Sequence, residues 1–337
     1  MYNIRNKNVL ITGADGFIGS HLVENLFMKN CSIRAISAYN SLNSWGWLDT
    51  LDNEIIKNIE VISGDVRDSK FINSACKNID IVYHLASLIA IPYSYKSPYS
   101  YIDTNTVGTL NVLEASINND VERVIHTSTS EVYGESDMIS ISEKSPVIAR
   151  SPYSASKIAA DQIAYSYYSS FGLPVSIIRP FNTYGPRQSS RAIIPTIITQ
   201  ILKNQGKIKL GSLYPTRDLC FIDDTISGFI NVGLHKRSVG EIINIGSGSQ
   251  ISVKDLTYLI ANLMKKNITI VCDNKRVRPK KGEVNRLKAN IGKAKKFTGW
   301  EPKFKGKSGL KRGLQETIEW FSSDRNLRLY KSHIYNI

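Results

Sequence analysis

Long hydrophobic runs are missing from this 337-residue sequence. No stretch approaches the roughly 20 apolar residues of a spanning helix, so no membrane partner is expected. Cysteine is scarce. Cys31, Cys76, Cys220 and Cys272 stand far apart, without the spacing of a metal site or a disulfide framework. No metal is expected, and reduced thiols in a cytoplasm fit best. A secretory leader pattern is also missing, since Met1-Tyr2-Asn3-Ile4-Arg5-Asn6-Lys7 runs directly into an apolar stretch. Internal repeats and low-complexity segments are absent. Acid is short in one place: residues 261–312 hold 17 Lys or Arg against Asp273, Glu283 and Glu301, which matches the whole formal charge of +14. That segment is either a solvated basic surface or a field that attracts an anionic substrate such as a nucleotide diphosphate. No nucleic-acid-binding motif accompanies it, so nucleic acid is not an expected partner.

What is present reads as a globular chain, with 42% apolar and 21% charged residues. Its length suits one large domain or two small ones. Asn8 to Thr12 is a short apolar run. It ends in Gly13-Ala14-Asp15-Gly16-Phe17-Ile18-Gly19, and His21 to Phe27 then takes helical periodicity. Strand, glycine turn and helix in that order predict a dinucleotide-binding crossing. Gly13 permits the tight turn, Gly16 lets backbone approach a pyrophosphate, and Gly19 lets helix pack on strand. Phe17 and Ile18 open the helix whose N-terminus would face the phosphates.

A second strand, Ser32 to Ile36, follows. An acid usually stands at its end for the ribose of NAD, yet Ser37 occupies that position here. NAD is the expected cofactor, with NADP left open. The loop Ser41 to Asp49 carries Trp45 and Trp47. It is read as a hydrophobic staple onto the core, or else as a flap over cofactor or sugar. Ile59 to Val66 is the third strand, with Asp65 placed to bond an adenine amine and Val66 beside it. Ile79 to Ser87 is the fourth. There His84 reads as a packing residue, while Leu85, Ala86 and Ser87 leave room beside the cofactor. Asp103 to Ala115 is an amphipathic helix, and Arg123 to Ser128 a fifth strand. This alternation predicts an α/β fold, a doubly wound parallel Rossmann sheet with a smaller C-terminal α/β substrate lobe. The expected division is 1–180 for the cofactor domain, completed by segments near 215–250, and 181–337 mainly for the substrate lobe.

Tyr153 and Lys157 are four residues apart, one helical turn. A phenol with a pKa of about 10 is a poor base at neutral pH. An ammonium ~5 Å away, at an effective dielectric near 20, offers roughly 3 kcal/mol, or about 2 pKa units downward. The pair is therefore expected to act as base and supporting cation in taking a proton from a sugar hydroxyl.

Taken together, Thr12-Gly13-x-x-Gly16-x-x-Gly19, His84-Leu85-Ala86, Asn105-x-x-Gly108-Thr109, Ser128 to Gly134, Tyr153-x-x-x-Lys157 and Arg179 to Arg187 resemble the extended short-chain dehydrogenase/reductase family of nucleotide-sugar enzymes. Tyr39 to Asp49 is similar to the branch that dehydrates nucleotide-linked N-acetylglucosamine in bacterial legionaminic acid synthesis. The resemblance implies a 4,6-dehydratase, a lyase acting on GDP-N-acetylglucosamine, with the UDP sugar as the alternative. It implies Thr129, Ser130, Glu131, Tyr153 and Lys157 as catalytic residues and Asn105 as a cofactor contact. Dehydratases of TDP-glucose carry Thr-Asp-Glu where this chain has Thr129-Ser130-Glu131, so a separate general acid is in question. Glu131 would both remove and return protons.

By the same resemblance Asn182, Arg191, Arg217 and Arg278 hold the substrate. The arginines suit phosphate because their donors are paired and planar. A homodimer through the helices at 105–115 and 153–157 is implied as well. The competing readings are a 4-epimerase or UDP-glucuronate decarboxylase on the same scaffold, and a cofactor-binding regulator without turnover. Further on, Glu241 to Gly246 returns to the sheet, Ser252 caps a helix, and Leu310 to Phe321 is amphipathic.

Overall fold

The computed structural model describes residues 2, 4–135, 138–203, 206–277, 279 and 282–330. Seven parallel strands form the central sheet. They are β1 (Asn8–Thr12), β2 (Ser32–Ala38), β3 (Glu60–Gly64), β4 (Ile81–His84), β5 (Arg123–Thr127), β6 (Val175–Pro180) and β7 (Ile242–Ile245). Their spatial order is β3-β2-β1-β4-β5-β6-β7. The order reverses between β1 and β4, where open α/β sheets receive ligands beyond the carboxyl ends of the strands.

The strands are apolar on both faces because helices cover both. On one face Val9, Ile11, Ile33, Ile81, Tyr83 and Ile125 pack with residues of α1 (Phe17–Phe27) and a later helix, Ile222–Leu234. On the other, Leu10, Ile36, Val82, Val124 and Ile177 meet α2 (Gly108–Asn118) and α3 (Pro152–Phe171). Successive residues of one strand thus feed two separate cores, as a period of two requires.

The helix expected over 103–115 begins differently. Ile102–Val107 forms a wider π turn before α2. The cause is tertiary: Asn105 and Thr106 bond to Leu88 and Ser156, and the widened turn lets both reach inward. β7 joins β6 in register Ile242 to Ile177, so a segment far along the chain completes the sheet.

Beyond β6 the chain builds short strands and further helices, among them Ile193–Lys203, Val253–Leu263 and Gly306–Ser322. Ser252 caps the second of these by accepting the Asp255 N–H. Asn182–Tyr184 pairs in parallel with Leu219–Phe221. The two-tryptophan loop is a staple. Its Trp47 ring packs against Trp320 and Tyr330, with centroids 5.7 and 5.9 Å away, and Leu48 is fully buried. Among the described residues no helix is long and apolar enough to cross a membrane.

Candidate active site

The glycine turn forms as its residue types require. Gly13 has φ +67°, and a Cβ there would come within 2.8 Å of the Ala86 backbone nitrogen. Gly19 presses on the backbone of Gly13 and Ala14, where no side chain fits. α1 starts at Phe17 with no side-chain cap and no acid in its first turn, so its N–H groups are free of a competing carboxylate. Phe17 and Ile18 are half-buried, Phe17 edge-on to His21. The Ser37 hydroxyl at the end of β2 is buried without a partner. A bare helix N-terminus, a turn kept clear of side chains at Gly13 and Gly19, and an orphaned hydroxyl at the strand end fit a dinucleotide.

Around that cradle Thr12 is the organising hydroxyl. It accepts the Leu85 and Ala86 N–H groups, both at 3.1 Å, and meets His84 Nδ1 at 2.8 Å. His84 Nε2 lies 3.0 Å from Thr109 Oγ1, and burial pushes its pKa well down. It is a packing residue held neutral. Ser87 donates to Asn105 Oδ1 at 2.9 Å. Asn105 also accepts from Leu88 N–H and donates to the Leu88 carbonyl and Ser156 Oγ. Its amide is therefore spent on joining the loop after β4 to α3. Asp65 receives Arg67 on both oxygens at 2.5–3.0 Å, and Val66 is buried beside Gly108.

The catalytic candidates converge. Thr129 caps a short turn, Ser130–Tyr133, by accepting the Glu131 N–H at 3.2 Å. Ser130 is buried and Glu131 half-buried. Tyr153 enters from the first turn of α3, which Ser151 and Ser154 cap reciprocally. Burial pushes the Tyr153 phenol up, the Thr129 hydroxyl pulls it down, and the charges of Glu131, Tyr101 and Asp161 push it up again. Tyr101 stands edge-on to Tyr153 at 6.2 Å.

The expected lowering of the phenol by Lys157 is not what the fold produces. Loss of water around the buried ring is the largest influence on the phenol, and the Thr129 hydroxyl is what opposes it. Lys157 is itself buried and donates to the Thr127 carbonyl at 2.6 Å. Burial lowers its pKa to about 8 against an upward pull from Asp161.

Asp161 escaped the sequence reading. It lies one further turn along α3, and the spacing 153, 157, 161 was the signal for it. Its carboxylate accepts from Ser128 at 2.8 Å and from Arg179 at 2.9 and 3.1 Å, and faces His126 Nε2 at 3.2 Å. Burial alone would raise this carboxyl; the His126 bond and the Arg179 charge outweigh it and hold it below its usual range.

The substrate candidates divide. Asn182 Oδ1 is buried without a partner. Arg191 is exposed; burial raises the Tyr101 phenol, and the Arg191 charge opposes that rise only in part. Arg217 is tied to Glu283 at 3.2 Å. Arg278 lies outside the described residues.

A sequence model described as GDP-mannose 4,6 dehydratase matches residues 10–313. The dTDP-glucose 4,6-dehydratase of Streptomyces antibioticus is 31% identical, covering 94% of this chain and 93% of its own. A putative UDP-glucose 4-epimerase of Methanocaldococcus jannaschii is 30% identical, covering 94% and 99%. The crystal structure of the dTDP-glucose 4,6-dehydratase of Streptomyces venezuelae, solved with NAD bound, superposes with a TM-score of 0.85 at 28% identity, over 95% and 98% of the two chains.

Proposed function

Starting from a chain that belongs to the NAD-dependent 4,6-dehydratases of nucleotide sugars, in the GDP-mannose 4,6-dehydratase family, we propose GDP-linked N-acetylglucosamine as its substrate. The UDP sugar is the alternative. The product is the 4-keto-6-deoxy sugar nucleotide, destined for legionaminic acid or a related surface glycan. The observation that carries the reading is the meeting of Thr129 and Glu131 at the Tyr153 phenol.

NAD, when bound, supplies the hydride acceptor and later the donor, so the sugar loses water with no net redox. Thr129 and Tyr153 hold the C4 hydroxyl, and Tyr153 takes its proton as C4 becomes a ketone. Lys157 supports the resulting phenolate. The ketone acidifies the C5 proton, which Glu131 removes. The C6 hydroxyl leaves as water, taking a proton from Glu131 or through Ser130. As C6 receives hydride, Glu131 returns a proton to C5, and the proton that Tyr153 took from the C4 hydroxyl makes good the one lost in water, so both side chains end as they began. A buried phenol and lysine keep bulk water from these steps.

Asn182, with its unpaired carbonyl oxygen, holds the sugar or diphosphate. Arg191 takes the base and Arg217 the phosphates, Arg217 exchanging Glu283 for phosphate, and Arg278 is a further phosphate ligand by the family resemblance alone. The enzyme works as a cytoplasmic homodimer through α2 and α3, an assembly carried by the family resemblance.

A second reading, a C4 epimerase, is favoured by the epimerase relative. Glu131 separates the two, since epimerisation needs no base at C5. Incubation with GDP- and UDP-N-acetylglucosamine, side by side with dTDP-glucose and UDP-glucuronate, tests both. A 4-keto-6-deoxy product from an N-acetylglucosamine donor is expected. A C4 epimer or carbon dioxide instead would overturn the reading, and turnover of dTDP-glucose alone would overturn the substrate.

A further inference from the structure

β2 ends without a carboxylate of its own, at Ser37 and Ala38. A carboxylate reaches that place from the glycine turn instead. Asp15 lies between Gly13 and Gly16, and its Oδ2 accepts the Ala38 N–H at 3.1 Å. The turn after β1 is thereby tied to the carboxyl end of β2. Asp15 is held from the other side as well. Its carbonyl accepts the Trp47 N–H at 3.0 Å, and Gly46, with φ +59°, packs so closely that a Cβ would lie 2.8 Å from that oxygen.

The side chain is half-buried, and among the described residues no Lys or Arg forms an ion pair with it. Arg67, just past β3, is committed to Asp65. The carboxylate therefore stands unneutralised at the strand end where dinucleotide folds receive the adenosine ribose.

We propose that Asp15 is the residue that selects NAD over NADP, doing from the glycine turn what an acid at the end of β2 does in other dinucleotide folds. A carboxylate only accepts hydrogen bonds, so it suits the two ribose hydroxyls of NAD. The 2′-phosphate of NADP removes one donor and adds like charge. Beside a partly desolvated carboxylate that repulsion is less screened than in water. The orphaned Ser37 hydroxyl is close in sequence but uncharged, so it cannot discriminate on charge. The assignment concerns the cofactor alone and is independent of which sugar is turned over.

Calorimetric binding of NAD and of NADP, without sugar, tests it on wild type, Asp15→Asn and Ser37→Ala. Asparagine keeps an oxygen for the Ala38 N–H and nearly the same volume, and Asp15→Ser serves as a second variant if it fails to fold. Wild type is expected to favour NAD at least about tenfold, the scale of one charge-assisted bond. In Asp15→Asn that preference falls about tenfold, with NAD weakened and NADP strengthened, while Ser37→Ala moves it less than about twofold. A preference unchanged in both Asp15 variants, or lost equally in Ser37→Ala, overturns the assignment.

Discussion

Burial makes the Tyr153 phenol a reluctant acid, and the nearby Glu131 charge makes it more so. The downward pull in the fold is the Thr129 hydroxyl, and in the proposed mechanism the positive ring of oxidised nicotinamide would add to it. In the proposed mechanism one phenol and one carboxylate divide the work, the phenol serving C4 and Glu131 serving C5. Glu131→Gln keeps the shape and removes the base. Dehydration should fall by about 10²–10⁴-fold, the range of a general base, while oxidation at C4 persists. Mass spectrometry of the nucleotide sugar checks this: a 4-keto hexose that retains its 6-hydroxyl is expected, and normal product at the wild-type rate would remove Glu131 from the mechanism. Tyr153→Phe should abolish both, and strong residual turnover would exclude the phenol as base.

At the scale of the element, α3 is a charge relay of position rather than of protons. Tyr153, Lys157 and Asp161 share one face, and Asp161 binds the helix to β5 and β6 through His126, Ser128 and Arg179. With its pKa lowered to about 8, Lys157 is charged below that pH and loses its proton as pH rises through it. Activity should therefore decline on the alkaline side near pH 8. The same depression sets a stability term. The penalty for carrying this buried proton is full below about pH 8 and fades as pH rises toward the ordinary lysine value of 10.5.

Asp161→Asn removes an upward pull on Lys157, so the alkaline limb should move to lower pH. It also leaves Arg179 buried without its carboxylate, at a cost of roughly 3 kcal/mol. A pH–rate profile and a thermal melt read the two effects separately. A lowered melting point with an unmoved limb would confine Asp161 to a structural role.

Over the whole molecule, the segment after Asn182 is fastened to the cofactor helix. Arg187, in the left-handed region at φ +67°, makes two 2.8 Å bonds to Glu24 on α1, and His21 meets the Pro186 carbonyl at 3.1 Å. Burial, with the Arg187 charge, lowers the His21 pKa to about 4, so this junction does not change charge near neutrality. Tyr330 donates to the Gln188 carbonyl at 2.9 Å and packs against the Trp47 ring, which ties the C-terminal segment to the loop after β2 and to the segment after Asn182.

The helix Gly306–Ser322 crosses the paired strands Asn182–Tyr184 and Leu219–Phe221 at Gly313, where an added Cβ would overlap the Tyr184 hydroxyl and lie 2.9 Å from the Phe221 ring. Gly313→Ala should cost about 2 kcal/mol by overpacking, visible as a lower urea midpoint. A midpoint equal to wild type would mean that this crossing is loose.

Much of this was written along the chain in local terms. The sheet strands are short apolar runs bounded by turns, Gly13 turns with φ +67°, Gly19 stands where backbone must approach the backbone of Gly13 and Ala14, and Ser151 and Ser252 mark helix starts because their hydroxyls cap N–H groups. Those features depend on residues within a few positions of each other, so periodicity and spacing reveal them. The π turn at Ile102–Val107, the cluster around Asp161, the pairing of Arg217 with Glu283 and the reach of Asp15 to Ala38 do not. Each joins groups 17 to 66 residues apart, or bends a helix to make such a join. Only the packed structure decides which of many similar carboxylates a buried arginine or a strand-end N–H will meet, because desolvation penalises every pairing left incomplete.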